Sequence, residues 1–155
     1  MINNRKASGR RQSAKNILDD NDIEKLRAEI DTIGADQAAF TFNEGDRTGF
    51  DDRNSLVNVR SDVFPDFDST HPRDLMSERA VLAHEYYGHY KFAPSKFKVG
   101  DWRDEMRASY IAAIDTPNLS DSDRAYFMLD AYERAREAGK YFDYSEKARE
   151  IIYGR

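Results

Sequence analysis

The chain has 155 residues and a net charge of −5, and with 34% charged and 39% hydrophobic residues it is typical of one folded domain rather than a disordered segment. It contains no cysteine, which excludes disulfides and thiolate metal sites and leaves imidazole, carboxylate and backbone oxygen as metal ligands. No apolar run approaches the roughly 18 residues of a membrane helix, and the first twenty residues lack the apolar block of a signal peptide, so no membrane association is expected.

Residues 1–18 differ from the rest of the chain in charge. They carry five basic residues and no acidic one, although the whole chain is acidic. We interpret residues 1–18 as a basic flexible leader and residues 19–155 as a single domain. The leader lacks the aromatic residues that accompany basic ones in many nucleic-acid sites, so nucleic acid is the least favoured of the partners considered.

The first predicted elements are a helix and two short strands. The helix begins with Asn21 as its N-cap and ends at Gly34. Residues 37–43 and 55–60 contain the β-branched and aromatic side chains typical of strands, and the turn-rich segment between them predicts a long loop. A small antiparallel sheet is expected, with residues 56–60 as the edge along which an extended peptide could pair.

The second half of the chain is predicted to be helical. A helix over residues 75–92 is followed by one that Asp101 caps and Thr116 ends, and then by one that Ser120 caps and Gly139 ends.

The last long helix is predicted to turn one apolar face toward the core. Its inward side chains are expected to be Met128, Leu129, Tyr132 and Ala135. A short helix is expected after Tyr144. The predicted fold class is therefore α+β, a compact domain in which the small sheet is followed by an active-site helix and further helices.

The most informative stretch is HEYYGH, within the helix predicted over 75–92. It places His84 and His89 five positions apart, with Glu85 beside the first histidine. On a regular α-helix that spacing turns the two imidazoles about 140° apart, so they could not share one metal ion. A π-type bulge absorbs one extra residue and brings them together, and Gly88 offers a tolerant backbone there. The alternative is an ordinary amphipathic helix whose histidines are hydrogen-bonded.

A hydrolytic zinc site needs a third protein ligand and one open position for water. Glu105, early in the following helix, is the expected third ligand, and its neighbour Asp104 is the alternative. Glu85 is expected to be the general base that acts on a zinc-bound water.

Charge that develops in the transition state also needs a donor. Tyr110 and Arg107 are the leading predictions for this catalytic role. The other candidates are His71, which is equally suited to capping, and one of Tyr86 or Tyr87.

Two stretches, HEYYGH and DEMRAS, carry a family resemblance. The first resembles the HExxGH motif of the dipeptidyl peptidase III family, zinc metallopeptidases of the zincin type whose helix carries the same inserted residue. The second is similar to that family's ligand helix. The resemblance implies His84, His89 and Glu105 as zinc ligands and Glu85 as the base. Ser109 stands where that family has a glutamate that supports the ligands.

A second resemblance covers about residues 55–138 and is carried by SERAVLAHEYYGHY, VGDWRDEMRASYIAA and TPNLSDSDRAYFMLDAYERAREAG. These runs are similar to zincin-like metallopeptidase domains at the C-terminal ends of bacterial polymorphic toxins. The resemblance implies a minimal zincin-like domain that cleaves protein or peptide and is neutralised by a cognate immunity protein. It also implies delivery into the cytoplasm of a target cell as part of a larger secreted protein, with the leader either as the junction to the delivery module or as the exposed start of a stand-alone chain.

A catalytically inactive zincin-like binding module with a structural metal is the alternative function. Ser109 favours this alternative, because outer hydrogen bonds to a carboxylate usually orient metal ligands and serine carries no charge.

Overall fold

The computed structural model describes residues 18–140 except 46 and 99. Residues 1–17 of the predicted leader and the helix predicted after Tyr144 lie outside the described residues. The described elements are α1 (Asp20–Thr32), β1 (Phe40–Phe42), β2 (Gly49–Asp51), β3 (Leu56–Val59), α2 (Pro72–Leu75), α3 (Glu78–Ala83), a π-helix (His84–Tyr90), α4 (Trp102–Asp115) and α5 (Asp121–Glu137), with 3₁₀ turns at Gln37–Ala39 and Ser61–Val63. The predicted α+β class is confirmed.

The sheet has three strands in the order β1-β3-β2, so β3 lies at its centre. β3 runs antiparallel to β2, with Val57 opposite Phe50, but parallel to β1, with Val57 opposite Phe40. The sheet is therefore mixed, and the prediction of an antiparallel sheet holds only for the β2–β3 pair. The predicted edge at residues 56–60 is wrong, because β2 forms in the segment predicted as a loop and covers that side. With three residues between turns, β2 is too short for an alternating pattern to reveal it.

Two boundaries near the start of the domain differ from prediction because of capping. Asp19, not Asn21, caps α1: its carboxylate accepts a hydrogen bond from the backbone of Asp22, whose own carboxylate accepts one from the backbone of Asp19. This reciprocal box satisfies two backbone donors that the helix leaves unpaired. Residues 37–39 form a 3₁₀ turn instead of a strand, since the Asp36 side chain caps them.

The helix predicted over 75–92 is interrupted near its start. α2 ends at Leu75, and a new helix begins because the Ser77 hydroxyl accepts a hydrogen bond from a backbone N–H in its first turn. From Glu78 the helix then continues without a break through Tyr90.

The other predicted helix ends are confirmed. Asp101 and Ser120 cap α4 and α5 through side chains that accept backbone hydrogen bonds, and Thr116 follows the last residue of α4. Gly34 and Gly139 lie just past α1 and α5 with φ of 69° and 72°, a conformation that glycine adopts without steric cost.

The inward face of α5 differs from the predicted one. Leu129 and Tyr132 are 51% and 45% exposed, Met128 is partly buried, and Ala135 is buried as predicted. The buried side chains of α5 are Asp123, Phe127, Asp130, Ala131, Arg134 and Ala135. An apolar pattern could not reveal this face, because two of its central positions, Asp130 and Arg134, are charged residues that are buried as an ion pair.

Two apolar clusters hold the elements together. The larger packs α1 and α3 against the sheet, with fully buried side chains that include Leu26, Ile30, Val57, Val81 and Leu82. The smaller joins α4 to α5 and comprises Met106, Tyr110, Ala131 and Ala135. The π-helix contacts α4 as well as β2 and β3. None of the helices within the described residues has the length and apolar character needed to cross a membrane.

Candidate metal centre

HEYYGH lies entirely within the π-helix, so the predicted bulge is confirmed and extends over seven residues. The wider turn is seen in the hydrogen bond from the Lys91 backbone N–H to the Tyr86 carbonyl, five residues earlier. As a result, the two imidazoles converge, and the Nε2 atoms of His84 and His89 are 3.2 Å apart.

Gly88 contributes to the site by close packing rather than by an unusual backbone conformation. A Cβ atom on Gly88 would lie 2.6 Å from the Cβ of Ala108 and 2.7 Å from its Cα and its carbonyl oxygen. Real Cβ atoms essentially never come so close to another heavy atom. Glycine and alanine at these two positions therefore allow α4 to approach the π-helix, and Glu105 lies one turn before Ala108.

Glu105 forms a triangle of candidate ligand residues with the two histidines. Its Oε1 is 3.0 Å from Nε2 of His89, and its Oε2 is 3.5 Å from Nε2 of His84. In a tetrahedral site with bonds of about 2.0–2.1 Å, ligand atoms are about 3.3–3.4 Å apart. The observed separations of 3.0, 3.2 and 3.5 Å are of this size, with each oxygen of Glu105 facing a different histidine.

The hydrogen bonding of the carboxylates also fits a cation. Both side-chain oxygens of Glu85 and the Oε2 of Glu105 are buried and lack a hydrogen-bond partner among the described residues. Oε2 of Glu105 still faces His84 and Arg134 at 3.5 Å, so Glu85 is the carboxylate whose burial without a hydrogen bond is costly and which a nearby cation would stabilise. Glu85 Oε1 is 4.0 Å from Nε2 of His89, which places the predicted base beside the triangle.

Glu105 and its neighbour Asp104, the two candidates for a third ligand, contact different nitrogens of the His89 imidazole. Asp104 Oδ2 is 3.4 Å from Nδ1 of His89, on the side of the imidazole that faces away from the triangle. The other oxygen of Asp104 accepts a hydrogen bond of 2.9 Å from Arg107. Asp104 thus supports His89 from behind, while Glu105 faces both Nε2 atoms.

Burial and neighbouring charges set the protonation of these groups. Burial raises the pKa of Glu85 to about 8 and lowers the pKa of His84. Burial would also lower the pKa of His89, but nearby carboxylates, Glu105 foremost, outweigh it and raise that pKa to about 9. Burial would raise the pKa of Glu105, but the two histidines hold it well below its usual range. Metal binding between these groups must therefore displace the proton of His89.

A second layer of polar side chains from α4 and α5 supports His84. Ser109 Oγ is 3.1 Å from Nδ1 of His84 and donates a hydrogen bond of 2.5 Å to Asp130. Asp130 in turn pairs with Arg73 at 2.5 Å and with Arg134 at 3.3 Å. Burial alone would raise the pKa of Asp130, but Arg134 and Arg73 hold it well below its usual range.

Asp130 and Arg134 are site residues that the sequence analysis missed. Arg134 also reaches the metal-ligand candidate Glu105, with 3.5 Å between its Nη2 and Oε2 of Glu105. The signal that could have found them is their spacing, since residues four apart lie on one helical face, and the apolar Phe127 shares that face.

The two leading candidates for oxyanion stabilisation lie in different surroundings. Arg107 is buried, stacks on Phe92 with its guanidinium 4.5 Å from the ring centroid, and lines a cleft together with His89. Tyr110 is packed in the apolar cluster between α4 and α5 with Met106 and Ala131. Of the two, the structure places Arg107 beside the cleft.

The remaining candidates take part in structural contacts. His71 caps α2, with Nδ1 accepting a hydrogen bond from the backbone of Arg73, as the capping alternative predicted. Tyr86 stacks on Phe40, and the Tyr87 hydroxyl donates a hydrogen bond of 2.5 Å to the carbonyl of Ile33.

A cleft of about 640 Å³ lies beside the site, and it is lined by His89 but not by His84, Glu85 or Glu105. His89, Asp104 and Arg107 line it together with residues of two further segments. The first segment, β2 and the turn after it, contributes Phe50, Asp52 and Ser55, and the second, after the π-helix, contributes Ala93, Pro94, Ser95, Phe97 and Lys98. Phe50 on β2 lies nearly parallel to the His89 ring, with centroids 6.3 Å apart. The sheet edge next to the candidate metal centre is therefore β2.

Protein-family models, curated protein sequences and solved structures were compared with the chain, and none of them matches it.

Proposed function

We propose that the protein is a zinc-dependent metallopeptidase in which His84, His89 and Glu105 hold the metal and Glu85 is the general base. The observation that carries this proposal is the convergence of two Nε2 atoms and one carboxylate within 3.5 Å, beside a buried glutamate without a hydrogen-bond partner among the described residues. Two histidines and a glutamate, with no cysteine in the chain, form the donor set of many hydrolytic zinc sites.

Zinc held there would polarise a carbonyl group and make water more acidic at neutral pH. Glu85 can accept a proton from the attacking water and return it to the departing amine, because its carboxylate lies beside the ligand candidates, with Oε1 4.0 Å from Nε2 of His89. The positive charge of zinc would lower the pKa of Glu85 from the value of about 8 that burial gives it without a metal, and would so keep the carboxylate ionised. Arg107, at the wall of the cleft, is the favoured donor to developing negative charge.

The proposed substrate is a protein or peptide in an extended conformation. β2 is an edge strand, so the backbone groups on its outer side are suited to pairing with a further strand, and Phe50 places it against the ligand His89. β2 therefore takes the role that the sequence analysis gave to residues 56–60. The toxin resemblance and a cognate immunity protein stay predictions from the sequence.

The proposal is tested by zinc content and peptide cleavage in parallel. We expect about one zinc per chain in the parent protein and in Glu85→Gln, and loss of zinc in His84→Ala, because only His84 of this pair is a ligand. Cleavage of a peptide library should fall about 100-fold or more in Glu85→Gln, the range that removal of a general base produces. Mass spectrometry measures both quantities.

The matched controls are His71→Ala and Glu24→Gln, since His71 caps α2 and Glu24 is exposed on α1. Both variants should keep zinc and cleavage. Full cleavage by Glu85→Gln would exclude the mechanism, and a parent protein that binds no zinc would exclude the site. Zinc binding without cleavage of any peptide would favour the inactive binding module.

A further inference from the structure

We propose that Asp130 is a positioning residue for His84 and acts through the Ser109 hydroxyl to fix the tautomer of the imidazole. This relay runs from α5 through α4 to the π-helix. The effect of the relay on metal binding rests on the proposed zinc site, whereas the tautomer of His84 does not depend on a bound metal.

The three side chains of the relay are fully buried and in direct contact. Ser109 Oγ is 2.5 Å from Oδ2 of Asp130 and 3.1 Å from Nδ1 of His84. Each of the three residues has 0% of its surface exposed. The protons shared between them are therefore fixed by the partners around them rather than by bulk water.

The positive charges around Asp130 make its carboxylate a hydrogen-bond acceptor. Arg73 Nε is 2.5 Å from one carboxylate oxygen, and Arg134 Nε is 3.3 Å from the other. Two guanidinium groups, which stay protonated in proteins, stabilise the ionised carboxylate. An ionised carboxylate has no proton to donate, so Asp130 can only accept the hydrogen bond from Ser109.

The number of protons available along the relay determines which ring nitrogen of His84 is protonated. The hydroxyl of Ser109 has one proton, which it donates to Asp130, and only its lone pairs are left for His84. Nδ1 of His84 must therefore carry a proton and donate it to Ser109. A neutral imidazole protonated at Nδ1 has its lone pair at Nε2, the nitrogen that faces His89 and Glu105.

The relay also explains how a serine can occupy position 109. A carboxylate behind a metal-bound histidine usually fixes its tautomer and raises its basicity. Here α5 provides the carboxylate, 21 residues farther along the chain, and the hydroxyl of Ser109 bridges it to the histidine. The negative charge is thus present behind His84 although residue 109 is uncharged.

The first test is zinc affinity, measured by competition with a chromophoric chelator. Ser109→Ala removes the bridge but leaves both ion pairs of Asp130 in place, so it should fold. Its zinc dissociation constant should rise about 10- to 100-fold, the usual effect of removing an outer partner. Asp130→Asn should weaken binding in the same direction.

The matched control is a second serine–aspartate pair, Ser77 and Asp123, whose hydrogen bond is 2.6 Å long and lies at the start of α3. Ser77→Ala should lower stability in denaturant unfolding yet keep the zinc affinity of the parent protein within about 2-fold, because Ser77 does not contact a ligand histidine. A loss of affinity in Ser77→Ala equal to that in Ser109→Ala would overturn the relay.

The second test reads the tautomer directly by ¹⁵N NMR of histidine-labelled protein. The chain has only three histidines, so substitution of each assigns the spectrum. We expect the proton of His84 on Nδ1 in the metal-free parent protein, and loss of this bias in Ser109→Ala.

The results of these two tests distinguish a failure of the relay from a failure of the proposed function. A His84 proton on Nε2 in the metal-free parent protein, or unchanged zinc affinity in Ser109→Ala, would overturn the relay and leave the metal site standing. A parent protein that binds no zinc would overturn the proposed function, and the tautomer would still decide whether the relay exists.

Discussion

Gly88, facing Ala108, is the residue whose missing side chain leaves room for α4 beside the π-helix. Its missing side chain allows the backbone of Ala108 to come within ordinary packing distance, and this approach brings Glu105 to the two histidines. Sequence reasoning selected Gly88 for its flexible backbone. The structure gives a different reason, because the space for a side chain is already filled by α4.

Gly88→Ala should therefore destabilise the protein and weaken its metal site together. The added Cβ would clash with three atoms of Ala108, two of them backbone atoms, so α4 must shift. We expect a loss of about 1–3 kcal/mol in the free energy of unfolding, typical of overpacking, and a higher zinc dissociation constant. Urea unfolding and chelator competition measure the two effects.

Gly49→Ala is the control for this substitution, because a Cβ at Gly49 meets no atom within 4 Å. It should change the free energy of unfolding by no more than about 0.5 kcal/mol. Adding Ala108→Gly to Gly88→Ala should restore only part of the loss, since the backbone atoms of residue 108 still clash. Full stability in Gly88→Ala would contradict the packing argument.

At the level of elements, sequence predicted best where a local rule decides the structure. The π-helix could be predicted because side chains five positions apart on a regular α-helix point in different directions, so two histidines at that spacing need a wider turn to converge. The starts of α4 and α5 could be predicted from their capping residues, Asp101 and Ser120. The strand β2 and the buried face of α5 were missed, because pairing with β3 and burial of Asp130 with Arg134 depend on contacts distant in sequence.

The buried face of α5 gives a prediction for Phe127 and Leu129. Phe127 is fully buried and stacks against the His84 ring, whereas Leu129 is 51% exposed. Phe127→Ala should lower the free energy of unfolding by about 3–5 kcal/mol, and Leu129→Ala by no more than about 0.5 kcal/mol. Denaturant unfolding measures the loss of unfolding free energy in each variant, and both substitutions lie on the same helix. Similar losses would show that the apolar pattern of the sequence had identified the inward face correctly.

At the scale of the whole molecule, buried charges connect elements that are far apart in the chain. Arg73 on α2 pairs with Asp130 on α5, 57 residues later, and Ser109 on α4 joins that pair to His84. The ligand candidates could be predicted from two motifs, but this network could not, because no short motif contains its members. The same contacts that orient His84 also hold α2, α4 and α5 together.

The network predicts how stability depends on pH. Although burial opposes it, the charges of Arg134 and Arg73 hold the pKa of Asp130 below its unfolded value of about 3.9. Its stabilising contribution is therefore complete above pH 4 and is lost as pH falls from there toward the folded pKa. In metal-free protein, Asp130→Asn should lower the free energy of unfolding at pH 6–7 by about 3–5 kcal/mol, because the buried side chains of Arg73 and Arg134 would each lose a carboxylate partner.

The decisive observation is how the difference in unfolding free energy between the parent protein and Asp130→Asn changes with pH. Urea unfolding of both proteins from pH 7 to pH 2 measures it. The difference should be constant down to about pH 4 and then shrink, because only the parent protein must protonate Asp130 in the acid range. Asp68→Asn, at an exposed position, controls for the loss of one carboxylate and should stay within about 0.5 kcal/mol of the parent. A difference that persisted unchanged to pH 2 would mean that packing, not the charge of Asp130, joins α5 to the rest of the site.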